Sequence, residues 1–227
     1  MAAITHAVGR LVASAHSASH LSSDDLRRLV SEEADALIAG REHAAASIAV
    51  HLAPSLRDAL LLTHSASATV REAVLHTPPA RLFCTVSAPF EEGRRLAEDL
   101  RTEGLDVELV EDNDVGRALE TASLVLVGAD TVYEDGSIKN KIGTRPLAEA
   151  AQRTGVRTFV ACELLKLAPI PPPAVEDELE LRDTTPAEFV DEIVTEEGSV
   201  APDQVRSLIE RTPFLRDGYR LLKGNAG

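Results

Sequence analysis

The stretch "LVLVGADTVYEDGSIKNKIGT" (residues 124–144) contains an apolar run that ends abruptly in a carboxylate, Asp130. Such a run is typical of a buried strand, and Gly128 lets another part of the backbone approach the strand end closely. The following EDGS is a turn sequence in which Gly136 supplies a positive φ angle. NKIGT then predicts the start of a helix, with Thr144 as its N-cap.

The polar half of this stretch has the features of an anion site. Lys139 and Lys141 are two of only four lysines in the chain, and they flank Asn140. A helix N-terminus offers backbone N–H groups and the positive end of a dipole, so together with a lysine it suits a phosphate. Desolvation of Asp130 by an apolar wall would favour its protonated form and fit it for proton transfer. A plain solvated turn is the alternative to such a ligand site.

Around this stretch the chain alternates between apolar runs and amphipathic segments. The other apolar runs are residues 59–64, 80–86, 106–112 and 157–163. Continuous apolar strands joined by helices predict a parallel sheet that is covered on both faces. The predicted fold class is therefore α/β, with an N-terminal helical segment followed by a Rossmann-like parallel sheet with helices on both faces.

We place a domain boundary at residue 57, just before this alternation begins. Residues 1–57 are predicted to be helical, with one helix starting at the N-cap Ser22 and a second helix following Gly40. Residues 58–227 are predicted to form the Rossmann-like domain that binds a phosphorylated ligand.

The end of that domain is interpreted from its prolines. Residues 167–183 contain four prolines and predict a linker, because proline is excluded from helix interiors. Residues 185–198 and 201–213 each carry a proline near their start and predict two short closing helices.

The predicted strands end in polar residues, and ligands of open α/β sheets bind beyond such strand ends near a topological switch point. These residues are Thr63, His64 and Ser65 after the first strand, Ser87 after the second, Asp112 after the third, Asp130 after the fourth and Glu163 after the fifth. Converging strand ends would gather Ser65 and Ser87 with the two aspartates around one crevice. Polar residues also end strands because strands end at solvent, so the set supports a site better than any one member does.

The composition sets the broad class of protein. The chain of 227 residues has a net charge of −14, which argues against direct binding of nucleic acid. Its 37 Asp and Glu residues, with only 4 Lys among 23 basic residues, predict a halophilic host with a salty cytoplasm, although a GC-rich genome would also favour Arg over Lys. No apolar run approaches the roughly eighteen residues of a membrane helix, and the N-terminus does not resemble a signal peptide. We therefore expect a cytoplasmic protein without membrane contact.

Several cofactor and metal motifs are absent from the sequence. There is no G-x-G-x-x-G after the first strand and no Walker A sequence, which argues against dinucleotide and P-loop nucleotide binding. No His/Cys pair has zinc spacing, so we expect no metal and no cofactor. Cys84 and Cys162 lie in apolar runs and are predicted to be buried free thiols rather than a disulfide. THSAS at residues 63–67 lacks the G-x-S-x-G elbow of Ser–His hydrolases.

Three motifs together resemble one superfamily. They are LLLTHSASATV (residues 60–70), the opening stretch with LAEAAQRTGVRTFVACELLKL after it, and TPAEFVDEIVTEEG (residues 185–198). The superfamily contains the alpha, beta and delta regulatory subunits of translation initiation factor 2B, ribose-1,5-bisphosphate isomerase and methylthioribose-1-phosphate isomerase. The resemblance covers roughly residues 35–200. It implies an N-terminal helical region, a C-terminal Rossmann-like domain, and dimerisation through that domain into a homodimer or higher homo-oligomer.

The resemblance also implies roles for single residues. In the isomerases an acid/base Cys follows TH, an Asp occupies GAD, and the Asn and Lys of NK bind substrate. Asp130 matches the acid/base Asp, and Asn140 and Lys141 match the substrate-binding pair. Ser65 stands at the Cys position, and Ala88 stands where the isomerases carry a phosphate-binding Arg. The remaining substrate-binding candidates are Thr63, His64, Ser87, Gly128 and Thr144.

These features leave three hypotheses. The first is a regulatory or binding protein that holds a phosphorylated sugar or nucleotide and self-assembles, which the missing Cys and Arg and the retained NKIGT favour. The second is a sugar-phosphate aldose–ketose isomerase that uses Asp130 as base and another acid in place of the Cys. The third is a structural assembly partner with an empty crevice.

Overall fold

The fold is described from a computed structural model, which covers residues 2–174 and 181–222. Its helices are α1 (Ala2–Ser17), α2 (Ser23–Leu56), α3 (Ala68–His76), α4 (Glu92–Thr102), α5 (Val115–Leu119), α6 (Thr144–Thr154), α7 (Val205–Glu210) and α8 (Pro213–Leu222). Its strands are β1 (Leu60–Thr63), β2 (Arg81–Thr85), β3 (Val107–Val110), β4 (Leu124–Gly128), β5 (Thr131–Tyr133), β6 (Ile138–Lys141), β7 (Arg157–Ala161), β8 (Leu167–Ala168), β9 (Arg182–Thr185), β10 (Glu192–Thr195) and β11 (Gly198–Val200).

Helix α2 runs without a break through Gly40, so the predicted division of this region into two helices is wrong. A glycine in a helix interior costs only about 1 kcal/mol relative to Ala. Tertiary packing offsets that cost, because Ile48 and Leu52 further along the helix are fully buried against the main sheet. The predicted N-cap is confirmed, since Ser22 Oγ accepts the backbone N–H of Asp25 at 3.2 Å.

Seven strands form the main sheet in the order β11-β10-β7-β4-β1-β2-β3. All neighbouring pairs are parallel except β10 and β11. The five apolar runs predicted as strands correspond to β1, β2, β3, β4 and β7. From β1 the chain moves outward to β2 and β3 and then returns to β4 on the other side. The topological switch point therefore lies between β1 and β4.

Helices cover both faces of the main sheet, which confirms the predicted α/β class. One apolar core includes residues of α2, α3 and α4, such as Leu52, Val74 and Leu100. The other includes residues of α5, α6, α7 and α8, such as Leu119, Leu147 and Leu208. The two cores share the strands between them, whose alternate side chains point to opposite faces.

A second sheet of four strands, in the order β8-β5-β6-β9, was not expected from the sequence. Strands β5 and β6 form a hairpin whose turn contains Gly136 at φ +85°, as predicted. Strand β9 adds to β6 in the antiparallel direction, with Arg182 opposite Lys141. The predicted linker at residues 167–183 thus contributes β8 and the start of β9, and its residues 175–180 lie outside the described part of the chain.

Residues 185–198 were predicted to be a helix, and this prediction is wrong. They contain a single 3-10 turn (Ala187–Phe189) and then strand β10. Ile193 and Val194 of β10 are buried and pair with strand β7. Such β-branched side chains pack well on a pleated sheet, and this packing overrides the helix start that the proline near residue 185 indicated. The second predicted closing helix is confirmed as α7.

Candidate functional site

A cavity of about 250 Å³ lies at the switch point, beyond the carboxyl ends of β1 and β4. It is lined by Ser65, Ala66, Phe90, Glu92, Asp130, Asn140, Lys141, Leu181 and Arg182. Ser65 follows β1, Asp130 follows β4 and Glu92 begins α4, whereas strands β6 and β9 of the second sheet supply the remaining polar groups. Two carboxylates and two cations therefore line one small cavity.

Asp130 is held at the cavity by Arg182. The Arg182 Nε donates to Asp130 Oδ2, and the two side chains are 39% and 41% exposed. The expected desolvation of Asp130 by an apolar wall is therefore wrong, because its carboxylate is solvated and ion-paired. No motif marks Arg182 in the sequence. Only the pairing of β9 with β6, which sets Arg182 opposite Lys141, brings this guanidinium to the cavity.

Lys141 is more deeply buried than its place in a polar turn predicts. Its side chain is only 10% exposed, and its Nζ donates to Glu92 Oε1 at 3.0 Å. The ammonium also lies 4.8 Å from the centre of the Phe90 ring, a distance at which a cation–π interaction is favourable. The second oxygen of Glu92, Oε2, is buried and has no hydrogen-bond partner among the described residues.

The helix start at NKIGT is capped by the chain itself. Gly143, at φ +102°, is the N-cap of α6, and Thr144 is the first helical residue, so the predicted N-cap is wrong by one position. The backbone N–H groups of Gly143 and Arg145 donate to Asp183 Oδ2 at 2.7 and 3.1 Å. The carboxylate of Asp183 therefore occupies the place that the sequence predicted for a ligand phosphate.

Asn140 is positioned by Thr144. The Asn140 side-chain amide donates to Thr144 Oγ1 at 3.0 Å, and that hydroxyl donates to the backbone carbonyl of Lys141 at 2.7 Å. Asn140 lines the cavity, whereas Thr144 does not. Of these two candidates, Asn140 thus lies at the cavity and Thr144 holds it from behind.

His64 does not line this cavity but a neighbouring one of about 430 Å³, and its ring is neutral. Its Nε2 donates to the carbonyl of Ile142 at 2.9 Å, and a carbonyl can only accept, so Nδ1 is the acceptor for Thr85 Oγ1 at 2.7 Å. Burial lowers the pKa of His64 from its ordinary value, against the opposing hydrogen bond to Ile142. A Cβ on Gly143 would lie 2.8 Å from the His64 ring, so the left-handed glycine also permits this close approach.

A chain of hydroxyl groups connects His64 to Ser65. The hydroxyls of Thr85 and Ser87 are 2.9 Å apart, and Ser87 Oγ accepts the backbone N–H of Ser65 at 2.6 Å. This bond holds Ser65 in a left-handed conformation, at φ +65°. Ser65 therefore lines the cavity, while His64 and Ser87 fix its backbone.

The other candidates at the strand ends are dispersed. Asp112 accepts the backbone N–H groups of Ser87 and Ala88, each at 2.8 Å, and lines a neighbouring cavity of about 430 Å³. The predicted single crevice is thus wrong for Asp112 and for Ser87, neither of which lines the cavity, whereas Ser65 and Asp130 both line it. Thr63 is buried within β1 and does not line the cavity. Gly128 does not line it either, and a Cβ there would lie 2.5 Å from the hydroxyl of Ser67, the N-cap of α3, so glycine allows this close approach.

Neither thiol reaches the cavity. Cys84 and Cys162 are free and buried, as predicted, and burial raises the pKa of each to about 12. Across residues 2–174 and 181–222, no cluster of three or more His, Cys, Asp or Glu side chains could hold a metal ion. Within the same ranges no helix combines the length and the apolar character that a membrane span requires.

Comparison with known proteins gives consistent matches. The model of the initiation factor 2 subunit family matches residues 1–184. The ribose 1,5-bisphosphate isomerase of Haloferax volcanii is 33% identical over 211 residues, which cover 80% of this chain and 65% of the enzyme. The chain thus spans less than two thirds of that relative's length.

Two crystal structures from Pyrococcus horikoshii OT3 share the fold. Translation initiation factor eIF-2B has a TM-score of 0.72 at 29% identity, covering 78% of this chain and 71% of its own. The 5-methylthioribose 1-phosphate isomerase has a TM-score of 0.71 at 22% identity, covering 94% and 68%. At that identity the second match shows the fold alone. The superfamily resemblance drawn from the sequence motifs is confirmed.

Proposed function

The chain belongs to the initiation factor 2 subunit family, and we propose that it acts as a regulatory or binding member that holds a phosphorylated sugar in the cavity between β1 and β4. One observation supports this proposal above the others. A cavity at the switch point combines two cations, two carboxylates and the amide of Asn140. Cations suit a phosphate, and the carboxylates and amide suit sugar hydroxyls.

The size of the cavity favours a sugar phosphate over a nucleotide. Its volume of about 250 Å³ is below the roughly 300 to 1,000 Å³ of sites for drug-sized ligands. A pentose phosphate is smaller than such ligands, whereas a nucleotide adds a base that needs an apolar slot. Phe90 and Leu181 are the large apolar side chains of the lining, and Phe90 already covers Lys141.

Ligand binding is tested by thermal denaturation and calorimetry at high KCl with ribose 5-phosphate, ribose and adenosine monophosphate. A ligand at 100 times its Kd stabilises the folded state by about 2.7 kcal/mol, which raises Tm by roughly 5 to 11 °C. We expect this shift with ribose 5-phosphate. Asn140→Ala should weaken binding about tenfold, through one lost hydrogen bond. Asn113→Ala, an exposed asparagine outside the cavity lining, is the matched control. Absence of any shift with ribose 5-phosphate would contradict the proposal.

We also propose self-association through residues 58–227, as a homodimer or a higher homo-oligomer. Phe90 and Ile142 lie next to the two cavities and are 55% and 43% exposed, which leaves apolar area beside the site uncovered. Light scattering after gel filtration should give at least twice the chain mass of 24.3 kDa. A mass of one chain at every concentration tested would argue against this part.

A second candidate function is aldose–ketose isomerisation of a sugar phosphate. The 33% identical Haloferax relative bears an isomerase name, and Ser65 and Asp130 line one cavity. Proton transfer between adjacent carbons needs a base and an acid. A serine hydroxyl is a far weaker acid than a thiol, and Glu92 is held as a carboxylate by Lys141, so the Lys141 ammonium is the proton donor of the cavity that would accompany Asp130.

The isomerase function is tested by incubating the protein with ribose 1,5-bisphosphate at high salt and following formation of the ketose by NMR. If the reaction occurs, Asp130→Asn should reduce its rate by at least about 100-fold, the usual contribution of a general acid or base. No turnover by the wild-type protein would exclude this candidate and leave the binding function.

A further inference from the structure

We propose that Arg182 is the phosphate-contacting residue of the cavity, and that a bound phosphate takes the guanidinium from Asp130 by exchange of partners. This inference rests on the proposed function, since it names the residue that recognises the phosphate of the ligand. It replaces the expectation that Lys141 and the NKIGT helix start perform that role.

Lys139 does not line the cavity, and the two other anion-binding groups predicted from the sequence are already engaged. Lys141 is 10% exposed, donates to Glu92 at 3.0 Å and lies against Phe90. The amides at the start of α6 donate to Asp183, which is itself 8% exposed. A ligand would have to displace the carboxylate of Glu92, which is 26% exposed, or that of Asp183. Either displacement would also leave a largely buried group without its partner, the Lys141 ammonium in the first case and the Asp183 carboxylate in the second.

The Arg182–Asp130 pair differs from these groups in its access to water. Both side chains are about two-fifths exposed, so a displaced Asp130 carboxylate remains hydrated. The exchange therefore loses little, because ion pairs between solvent-exposed groups contribute little to stability. The guanidinium gains a partner with a larger charge and three acceptor oxygens, to which it can donate in a bidentate manner.

Position 88, where the isomerases carry a phosphate-binding Arg, is Ala in this chain, and Arg182 supplies a guanidinium from another segment. Ala88 is exposed and does not line the cavity, and its backbone N–H donates to Asp112. Arg182 reaches the same cavity from strand β9, where its backbone is fixed by pairing with β6. The cavity thus contains an arginine, and the second sheet supplies it.

Exchange of partners has a chemical consequence for Asp130. While the guanidinium holds Oδ2, the carboxylate is committed to an intramolecular ion pair. Once phosphate takes the guanidinium, the carboxylate is free to accept a hydrogen bond from a sugar hydroxyl in the same cavity. Phosphate binding would therefore prepare Asp130 for contact with the rest of the ligand.

The test measures Kd values for ribose 5-phosphate and inorganic phosphate by calorimetry. Arg182→Gln should weaken both about 10- to 100-fold, as expected for loss of charge-assisted hydrogen bonds. Arg182→Lys, which keeps the charge without the planar fork, should give an intermediate loss. Arg206→Gln, which removes an exposed arginine paired with Glu134 at 3.1 Å outside the cavity lining, should leave both Kd values unchanged.

Exchange itself is tested with Asp130→Asn. Removal of the competing carboxylate should tighten inorganic phosphate binding several-fold in the wild-type background. If Asp130→Asn acted only by removing charge repulsion, it would tighten phosphate binding equally in the Arg182→Gln background. A larger increase in phosphate affinity when Arg182 is present therefore indicates that phosphate and Asp130 compete for the guanidinium. Circular dichroism checks the fold of each variant, and Arg182→Lys serves if Arg182→Gln does not fold.

The outcomes separate the two proposals. Wild-type protein that binds neither phosphate probe overturns the proposed function and this inference together. Wild-type binding that survives Arg182→Gln and Arg182→Lys at full affinity overturns the inference alone. Equal gains from Asp130→Asn in both backgrounds overturn the exchange.

Discussion

The cavity contains two ion pairs of the same kind that differ in their surroundings. Lys141 and Glu92 are 10% and 26% exposed, whereas Arg182 and Asp130 are 39% and 41% exposed. Removal of a partner from a buried pair leaves an uncompensated charge, but removal from an exposed pair leaves a hydrated one. A lysine in a recognisable motif can therefore be a structural residue, while the exchangeable cation comes from a segment without a motif.

The largest effect is expected for the buried pair. Glu92→Ala leaves the Lys141 ammonium nearly buried without its carboxylate. Breaking a fully buried pair costs about 3 to 5 kcal/mol, and the partial exposure of Glu92 reduces our expectation to about 2 to 3 kcal/mol. Tm should therefore fall by roughly 4 to 12 °C, measured by differential scanning calorimetry.

Glu134→Ala is the control for this prediction. It removes the partner of Arg206, whose side chain is largely exposed, and should change the free energy of unfolding by less than about 1 kcal/mol. If both variants lose the same stability, the Lys141–Glu92 pair is not the structural pair that its burial indicates.

The next effect concerns the pH dependence of stability through His64, which lines the neighbouring cavity. Burial lowers the pKa of His64 below its ordinary value of 6.5, so the folded state prefers the neutral ring. The unfolded chain binds a proton near pH 6.5, and stability must then decrease as pH falls from 6.5 through the lowered pKa. His64→Gln should flatten this part of the pH profile in urea denaturation, and exposed His16→Gln should not.

The two ion pairs should also act differently on His64. Glu92 raises and Lys141 lowers the pKa of this ring, in addition to the larger effect of burial. Glu92→Gln should thus shift the His64 pKa further down in an NMR titration, and Asp130→Asn should shift it less. A larger shift of the His64 pKa from Asp130→Asn would show that the Arg182–Asp130 pair, and not the Lys141–Glu92 pair, acts more strongly on this ring.

A smaller change is expected for the exposed pair. Arg182→Gln should alter the free energy of unfolding by at most about 1 kcal/mol, because both partners are solvated. Urea denaturation of the variant without ligand measures this value. A loss comparable to that of Glu92→Ala would indicate that Arg182 has a structural role and would weaken its assignment as an exchangeable cation.

The smallest effect is the salt dependence of the two interactions. Raising ionic strength from about 0.15 to about 1 M shortens the Debye length from about 8 to about 3 Å. Double-mutant cycles should show that the coupling between Arg182 and Asp130 decreases over this range, while that between Lys141 and Glu92 is largely retained. Equal salt sensitivity of the two couplings would contradict the difference in burial.

The parts of this site that were predictable are those whose residues lie close together in the sequence, so that their spacing sets their relative positions. Asp130 and Asn140 line the cavity as the spacing of GAD and NK implies, and the EDGS turn places Gly136 at a positive φ. The predictions failed where a distant segment intervenes. Arg182 and Asp183 engage the site only through pairing of β9 with β6, which is not encoded in local periodicity.

By itself, the sequence determined the apolar strands, the α/β class and the family, because these depend on local patterns and on ordered motifs along the chain. The tertiary structure alone decided which charges are available. In the folded chain Lys141 is buried beside Phe90, the backbone N–H groups at the start of α6 donate to Asp183, and Arg182 pairs with Asp130. The physical reason is that burial and charge pairing are set by segments that meet only in the folded chain.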